Sequence, residues 1–359
     1  KMPKKPKILI VGSGIVGAST ALACQNLGAD VVVAEQGKLG GLASSNSFGW
    51  INASFALSQE YFELRDAAVD TFRQFSAQLD LNKSVRWQGT LWWEDTGLGL
   101  KDHFSNLKAR GCQAKWLKKN EIKVIEPNLK NAPEEAILTP LEGAGQADKV
   151  ALAILAELTA SGGRVLSGCK VTALDFSRGH VFQAQTSVGD IKCDLVVMAT
   201  GAAAQHGLVG IDWVLPMQNK TGLILQTSSI PHLINHILMT DDVHFKQNVD
   251  GSLTAGEIFS GDLDPNSVPL DLASDIMARL KTKLHGLPKI NLTDVKIGTR
   301  PVPLDGFPVV GNVPGHGGLF VAVMHSGVTL APLIGQLLAS EMLQMSESSL
   351  LVPFRPNRF

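Results

Sequence analysis

Short unbroken apolar runs at residues 8–11 and 31–34, each bounded by turn residues, mark strands buried on both faces of a sheet. Between them, 14–27 reads as a helix whose small residues Ala18, Ala21 and Ala23 suit close packing on that sheet, and Gly28 stops it. From 59 to 79 the period becomes helical, with Phe62, Leu64, Ala67, Ala68, Phe72, Phe75 and Leu79 on one face. Residues 85–94, carrying Trp87, Trp92 and Trp93, read as a strand leaving this first unit. Asp148 is placed to cap a helix over 149–160, and strands follow at 164–166, 170–174 and 181–186. Residues 194–198 form another buried parallel strand, running into Ala199-Thr200-Gly201. From 216 to 295 the pattern alternates and hairpins: 222–227, 237–239, and 243–248 turning at Asp250-Gly251 into 253–256, closed by a helix over 271–284. Residues 296–301, with a turn at 298–301, lead to a turn-rich stretch over 305–311, and a strand over 319–324, a loop over 325–329 and a helix over 330–344 complete the chain.

The first strand opens directly into Gly12-Ser13-Gly14-Ile15-Val16-Gly17, and Glu35 closes the second, eighteen residues past Gly17. Gly12 permits the tight turn, Gly14 the approach of a pyrophosphate, and Gly17 close packing of helix on strand. The helix N-terminus faces the phosphates. Glu35 can accept from ribose hydroxyls and would repel a ribose phosphate, so an adenosine diphosphate unit is the expected ligand portion. A polar, glycine-rich loop over 40–52 follows, the position where an α/β sheet meets ligands.

Composition narrows the partners. The 359 residues suffice for two domains, and a formal charge of -1 with 18 % charged residues gives no broad attraction to nucleic acid or anionic lipid. Lys1, Lys4, Lys5 and Lys7 read as a solvated basic start. No secretory signal is recognisable, and no apolar run reaches the ~20 residues of a membrane span. Cys24, Cys112, Cys169 and Cys193 have no metal-ligand spacing, so no metal is expected, and a reducing cytoplasm is the simplest setting.

Four segments together resemble the D-amino-acid oxidase (DAO) family of FAD-dependent oxidoreductases, which includes glycine oxidase, sarcosine oxidase and D-amino-acid dehydrogenases. They are the Gly12 to Gly17 motif with Glu35, the Asp194 to Gly201 stretch, Gly298-Thr299-Arg300-Pro301 with Asp305-Gly306 and Gly311, and the His325-Ser326-Gly327-Val328-Thr329 loop. The resemblance implies an α/β fold: a Rossmann-type FAD-binding domain (1–82, 141–215 and 297–359) with an inserted, mostly antiparallel α+β substrate domain (83–140 and 216–296). It implies that Gly12, Gly14, Ile15, Val16 and Gly17 hold the pyrophosphate, Glu35 and Gln36 the adenosine ribose, and Val171 the adenine. Ser44, Ser45, Asn46, Gly49, Trp50 and Ile51 would follow the ribityl chain and flavin edge, with Thr200, Gly201 and Arg300 also near the cofactor. Ser326, Gly327, Val328 and Thr329 would also bind the cofactor, and with Thr329 as cap of the final helix the N–H groups of Gly327 to Leu330 would face the flavin edge where negative charge collects. The loop Ser44-Ser45-Asn46-Ser47 lacks histidine and no cysteine follows Cys193, so non-covalent FAD is expected.

Arg300 is the candidate for gripping a substrate carboxylate through two parallel hydrogen bonds. His244, His325 and Trp50 are candidates for shaping the pocket, each open to a purely structural role. The expected reaction is oxidation of a carboxylate-bearing amine by hydride transfer from the α C–H to flavin N5. The resulting imine hydrolyses to an oxo acid and an amine. A small secondary amine such as sarcosine or iminodiacetate is preferred, with oxygen or another electron acceptor completing the cycle. The alternatives are a D-amino-acid or opine dehydrogenase using a non-oxygen acceptor, an NAD-dependent dehydrogenase, and a non-catalytic FAD-binding protein. An aromatic hydroxylase lacks support, because Gly311 precedes Asn312 where a Gly-Asp pair is usual.

Overall fold

A computed structural model describes residues 3–94, 97–259, 263–264, 266–267 and 269–359. Lys1 of the basic start lies outside the described residues, Lys4 and Lys5 are exposed, and Lys7 opens the first strand.

The buried apolar runs become the centre of a six-stranded sheet, ordered Val309–Asn312, Leu319–Val323, Leu195–Met198, Lys7–Val11, Asp30–Glu35, Arg164–Ser167. Every neighbouring pair is parallel except the first. Alternate residues divide between its faces. Ile8, Ile10, Val31, Val33 and Val197 pack under the first helix (Ile15–Asn26), the Ala147–Ala160 helix and the last helix (Gly327–Gln344). Leu9, Val11, Val32, Val196 and Met198 face a small antiparallel sheet of Val171–Ser177, His180–Thr186 and Ile191–Lys192.

An eight-stranded sheet forms the second unit, ordered Leu292–Pro303, Met217–Thr227, Leu253–Phe259, His244–Gln247, Ile237–Met239, Thr90–Trp92, Glu135–Thr139, Lys115–Lys118. It is antiparallel except between Ile237–Met239 and Thr90–Trp92. One face buries Leu91, Leu223, Leu225, Phe245 and Leu253 with Ala273, Ile276 and Leu280 of the Leu270–Lys283 helix. The other face is turned toward the first unit. Trp50–Ile51, Gly143–Gly145 and Val85–Arg86 form a short sheet at the junction.

Several elements differ from their sequence reading. The turn expected at Gly298-Thr299-Arg300-Pro301 is part of the long strand Leu292–Pro303, which runs unbroken through residue 297, where the reading changes domain. Pro301 is tolerated because this strand is the sheet edge. Residues 85–94 hold two short strands in different sheets, separated by Gly89 at φ 73°. Leu42–Ser45 is one helical turn within the glycine-rich loop. The helix expected from Lys149 begins at Ala147, with Asp148 inside its first turn rather than capping it.

Candidate active site

The first and last helices begin side by side: a Cβ on Gly327 would lie 3.0 Å from Val16 Cγ2. At neither start does the N-cap residue, Gly14 or Ser326, cap the helix with its own side chain. At the first, Gly12 takes φ 104°, and Gly12, Gly14 and Val16 stay half-exposed at the end of a buried sheet. Glu35 receives Ser13 N (2.9 Å), Ser13 Oγ (2.8 Å) and Gly37 N (2.8 Å), which fixes its carboxylate against the glycine turn. Ser44 Oγ accepts from Ile15 N at 3.2 Å, tying the glycine-rich loop to the same helix start. Cys169 N donates to Glu35 O at 2.9 Å, which brings Val171 to this end of the sheet, while Gln36 is exposed.

The last helix differs from its sequence reading. Its N-cap is Ser326, in the left-handed region at φ 60°, and Thr329 lies in the first turn. The Thr329 hydroxyl donates to Trp50 O (3.1 Å) and accepts from Asn52 N (3.2 Å), so it joins the helix to the Trp50–Ile51 strand instead of capping. Leu330 N reaches Ser326 O, and helix geometry leaves the N–H groups of Gly327, Val328 and Thr329 without intrahelical acceptors.

Arg300 and His325 are brought together. Arg300 Nη1 lies 3.3 Å from His325 Nε2, and among the described residues the guanidinium has no carboxylate partner. Burial alone pulls Arg300 below the usual guanidinium value, with no neighbouring acid to oppose it. It remains charged. His325 is pushed down to about 3, first by burial and then by the charges of Arg300, Arg65 and Lys220, so it is neutral. Arg300 can only donate, so Nε2 accepts and the ring proton sits on Nδ1, 3.3 Å from Ser326 Oγ.

Glycines clear the sheet face beside Arg300. A Cβ on Gly222 would fall 2.9 Å from Nε and Nη2 of Arg300, so the missing side chain is what lets the guanidinium lie against the sheet. Gly298, opposite Gly222, admits Asn46: a Cβ there would meet Asn46 Cβ at 2.6 Å. Phe48 of the same loop lies over Gly256. The 46–49 segment thus crosses the sheet toward the His244–Gln247 strand.

His244 stands opposite Gly256, three strands from Arg300, a span of roughly 14 Å between strand axes. Its Nε2 pairs with Glu94 Oε1 at 3.4 Å. The structure does not join His244 to Arg300. Trp50 is held by its indole N–H, which donates to Thr90 Oγ1 (2.9 Å) and Glu142 Oε2 (3.1 Å), and its ring lies 5.7 Å from that of Trp92.

Four contributors escaped the sequence reading: Arg65, Glu142, Gly222 and Lys246. Arg65 carried one available signal, a lone charge within the apolar stripe of the Gln59–Gln78 helix. Lys246 is 2 % exposed beneath Gly49, with one long bond to Gly145 O at 3.4 Å. Burial pulls its ammonium down to about 7, partly offset by Asp250 and Asp148.

These features fit FAD. The first helix start offers an open backbone surface, since the nearest protein atom to a Cβ on Gly14 is Ser44 Oγ at 3.5 Å. Beside it, Thr200 Oγ1 is buried without a partner among the described residues. Two guanidinium groups reach the adjoining start of the last helix, Arg300 through His325 (3.3 Å) and Arg65 through Ser326 Oγ (2.7 Å). Among the described residues, no group of His, Cys, Asp or Glu could hold a metal and no helix is long and apolar enough to cross a membrane.

Residues 7–341 match the DAO family, described as FAD dependent oxidoreductase. Glycine oxidase of Geobacillus kaustophilus is 26 % identical over 380 residues, covering 99 % of this chain and 98 % of the relative. Its crystal structure superimposes with a TM-score of 0.87 at 22 % identity, covering 99 % of this chain and 100 % of that one. Iminodiacetate oxidase from Chelativorans sp. BNC1 gives 0.85 at 20 % identity, with 97 % and 98 % coverage. L-amino acid deaminase from Proteus vulgaris gives 0.89 at 18 %, with 100 % and 98 % coverage. The chain belongs to the DAO family and is an FAD-dependent oxidoreductase.

Proposed function

We propose that the protein oxidises a small amine bearing a carboxylate, with Arg300 as the carboxylate clamp. The observation that carries this reading is the buried guanidinium of Arg300, which has no acid partner among the described residues and lies beside the start of the last helix. An uncompensated buried charge is costly, and an incoming carboxylate relieves that cost. The relatives named glycine oxidase and the neighbour named iminodiacetate oxidase agree with a carboxylated amine.

Each residue has a defined task. Arg300 offers two parallel N–H groups, Gly222 leaves them room, and neutral His325 accepts from the rear of the guanidinium without competing for the carboxylate. Trp50 is held in one orientation by Thr90 and Glu142. Such clamping sets the α-carbon in one place, which is the main requirement for this chemistry. FAD, when bound without a covalent link, supplies the two-electron acceptor. The substrate loses a hydride from the α-carbon and a proton from nitrogen, a C=N bond forms, and water then yields an oxo acid and the released amine. Sarcosine and iminodiacetate are the preferred substrates. The test is product analysis with glycine, sarcosine, iminodiacetate and D-amino acids, with oxygen or a dye as acceptor. An oxo acid and an amine from one of them support the reading, and no oxo acid from any of them, in protein holding full FAD, overturns it.

A further inference from the structure

Arg65 is buried to 1 % exposure, and all its hydrogen bonds go to neutral groups. Nε and Nη2 reach Asn52 O (3.2 Å) and Oδ1 (2.7 Å), and Nη1 reaches Tyr61 Oη (3.2 Å) and Ser326 Oγ (2.7 Å). No carboxylate pairs with it among the described residues. A fully buried cation satisfied only by dipoles is an expensive element, and packing alone would be served by an apolar residue of similar length.

Its contacts give it a place in a relay. Ser326 Oγ accepts from Arg65, and it accepts also from His325 Nδ1–H once Arg300 has fixed the tautomer. With two donors directed onto it, the Ser326 oxygen keeps its own hydrogen for another acceptor, and no such acceptor is present among the described residues. Asn52, the second residue Arg65 holds, is joined through its N–H to Thr329 in the first turn of the last helix. Arg65 therefore grips both segments that form this helix start.

We propose that Arg65 is a positioning residue for an anion at the start of the last helix: it directs the Ser326 O–H and the first helix N–H groups to one point and adds a buried positive charge behind them. The inference rests on the reading that the cofactor's ring system, whose reduced form carries negative charge, occupies that point. The carboxylate of the substrate then belongs to Arg300 and the cofactor charge to Arg65 and the helix.

The test uses FAD-loaded protein without substrate. Two-electron reduction equilibria against a reference dye are compared for wild type, Arg65→Met, Arg65→Lys and Ser326→Ala, alongside FAD content and thermal midpoint. Arg65→Met is expected to shift the equilibrium about tenfold toward the oxidised form, or about 30 mV. Arg65→Lys should recover much of the shift, and Ser326→Ala should move it in the same direction by a smaller factor. An unchanged equilibrium in Arg65→Met with full FAD content overturns the proposal. If Arg65→Met fails to fold or to retain FAD, Ser326→Ala decides, because it removes only the hydroxyl, and an unchanged equilibrium there overturns it equally. Arg300→Ala tests the substrate clamp separately: unaltered binding of a carboxylated amine would remove the clamp while leaving the Arg65 result standing.

Discussion

The two adjacent helix starts share one problem and meet it with opposite chemistry. At neither end does the N-cap residue's own side chain cap the helix, so, apart from Ile15 N on Ser44 Oγ, both present N–H groups and the positive end of a helix dipole. The first is faced by an acid, Glu35, held by Ser13 and Gly37. The last is faced by Arg65 and Arg300, neither with an acid partner among the described residues. A helix end beside a carboxylate suits a group offering hydroxyls as well as phosphate, whereas one backed by cations favours negative charge. Charge environment, more than backbone geometry, separates the roles of the two ends.

The largest effect should come from the first end. Gly14→Val should yield folded protein that no longer retains FAD, since a Cβ at Gly14 meets no protein atom closer than 3.5 Å. Gly17→Ala should instead damage the fold, because its Cβ would lie 2.0 Å from Gly12 O. Flavin absorbance together with thermal unfolding of both variants checks this; FAD retained by Gly14→Val would show that the glycine serves packing.

Next comes the clamp. Arg300→Ala should reduce kcat/KM for a carboxylated amine by an amount equivalent to about 2 to 4 kcal/mol, mainly through KM, with Arg300→Lys intermediate because the two-pronged geometry is lost. Steady-state kinetics would detect it, and unchanged values would detach the last helix end from substrate.

Lys246 sharpens the comparison as a buried cation on the same sheet but away from either helix end. The folded state holds its ammonium near 7, below the unfolded value, so the unfolded chain binds more protons between pH 7 and about 10.4. Its destabilising contribution is full below pH 7 and fades as pH rises through that window. Lys246→Met should therefore raise stability by about 1 to 3 kcal/mol at pH 6 and less at pH 10. Denaturant titrations at both values measure the difference.

The smallest expected effect is a null result that still discriminates. With His325 held at about 3, the Arg300–His325 contact keeps one protonation state across neutral pH, so KM should show no titration near 6.5 from this group. The sign for stability is also set: between pH 3 and about 6.5 the unfolded chain binds the extra proton, so this contribution is lost as pH falls through that range.

What was legible in the sequence follows the distance between interacting residues. The glycine turn, its helix and Glu35 lie within one βαβ unit, so spacing alone places them. Arg300 was legible from its neighbours Gly298 and Pro301, but the same pair suggested a turn; edge position and the approach of Asn46 make it a strand. The Thr329 assignment failed because Ser326 and Thr329 are both competent caps, and only the left-handed Ser326 backbone and the Trp50–Ile51 strand decide between them. Arg65 was hidden most deeply, since its partner Ser326 is 261 residues away and nothing local to its helix announces that contact.

The most direct measurement is the visible spectrum of the purified protein under anaerobic conditions, before and after adding glycine, sarcosine, iminodiacetate or D-amino acids, for wild type and Arg300→Ala. Flavin bands should bleach with at least one of these in wild type and only at far higher concentration in the variant. Flavin bands untouched by every compound, or bleached equally in both proteins, would contradict the proposed function.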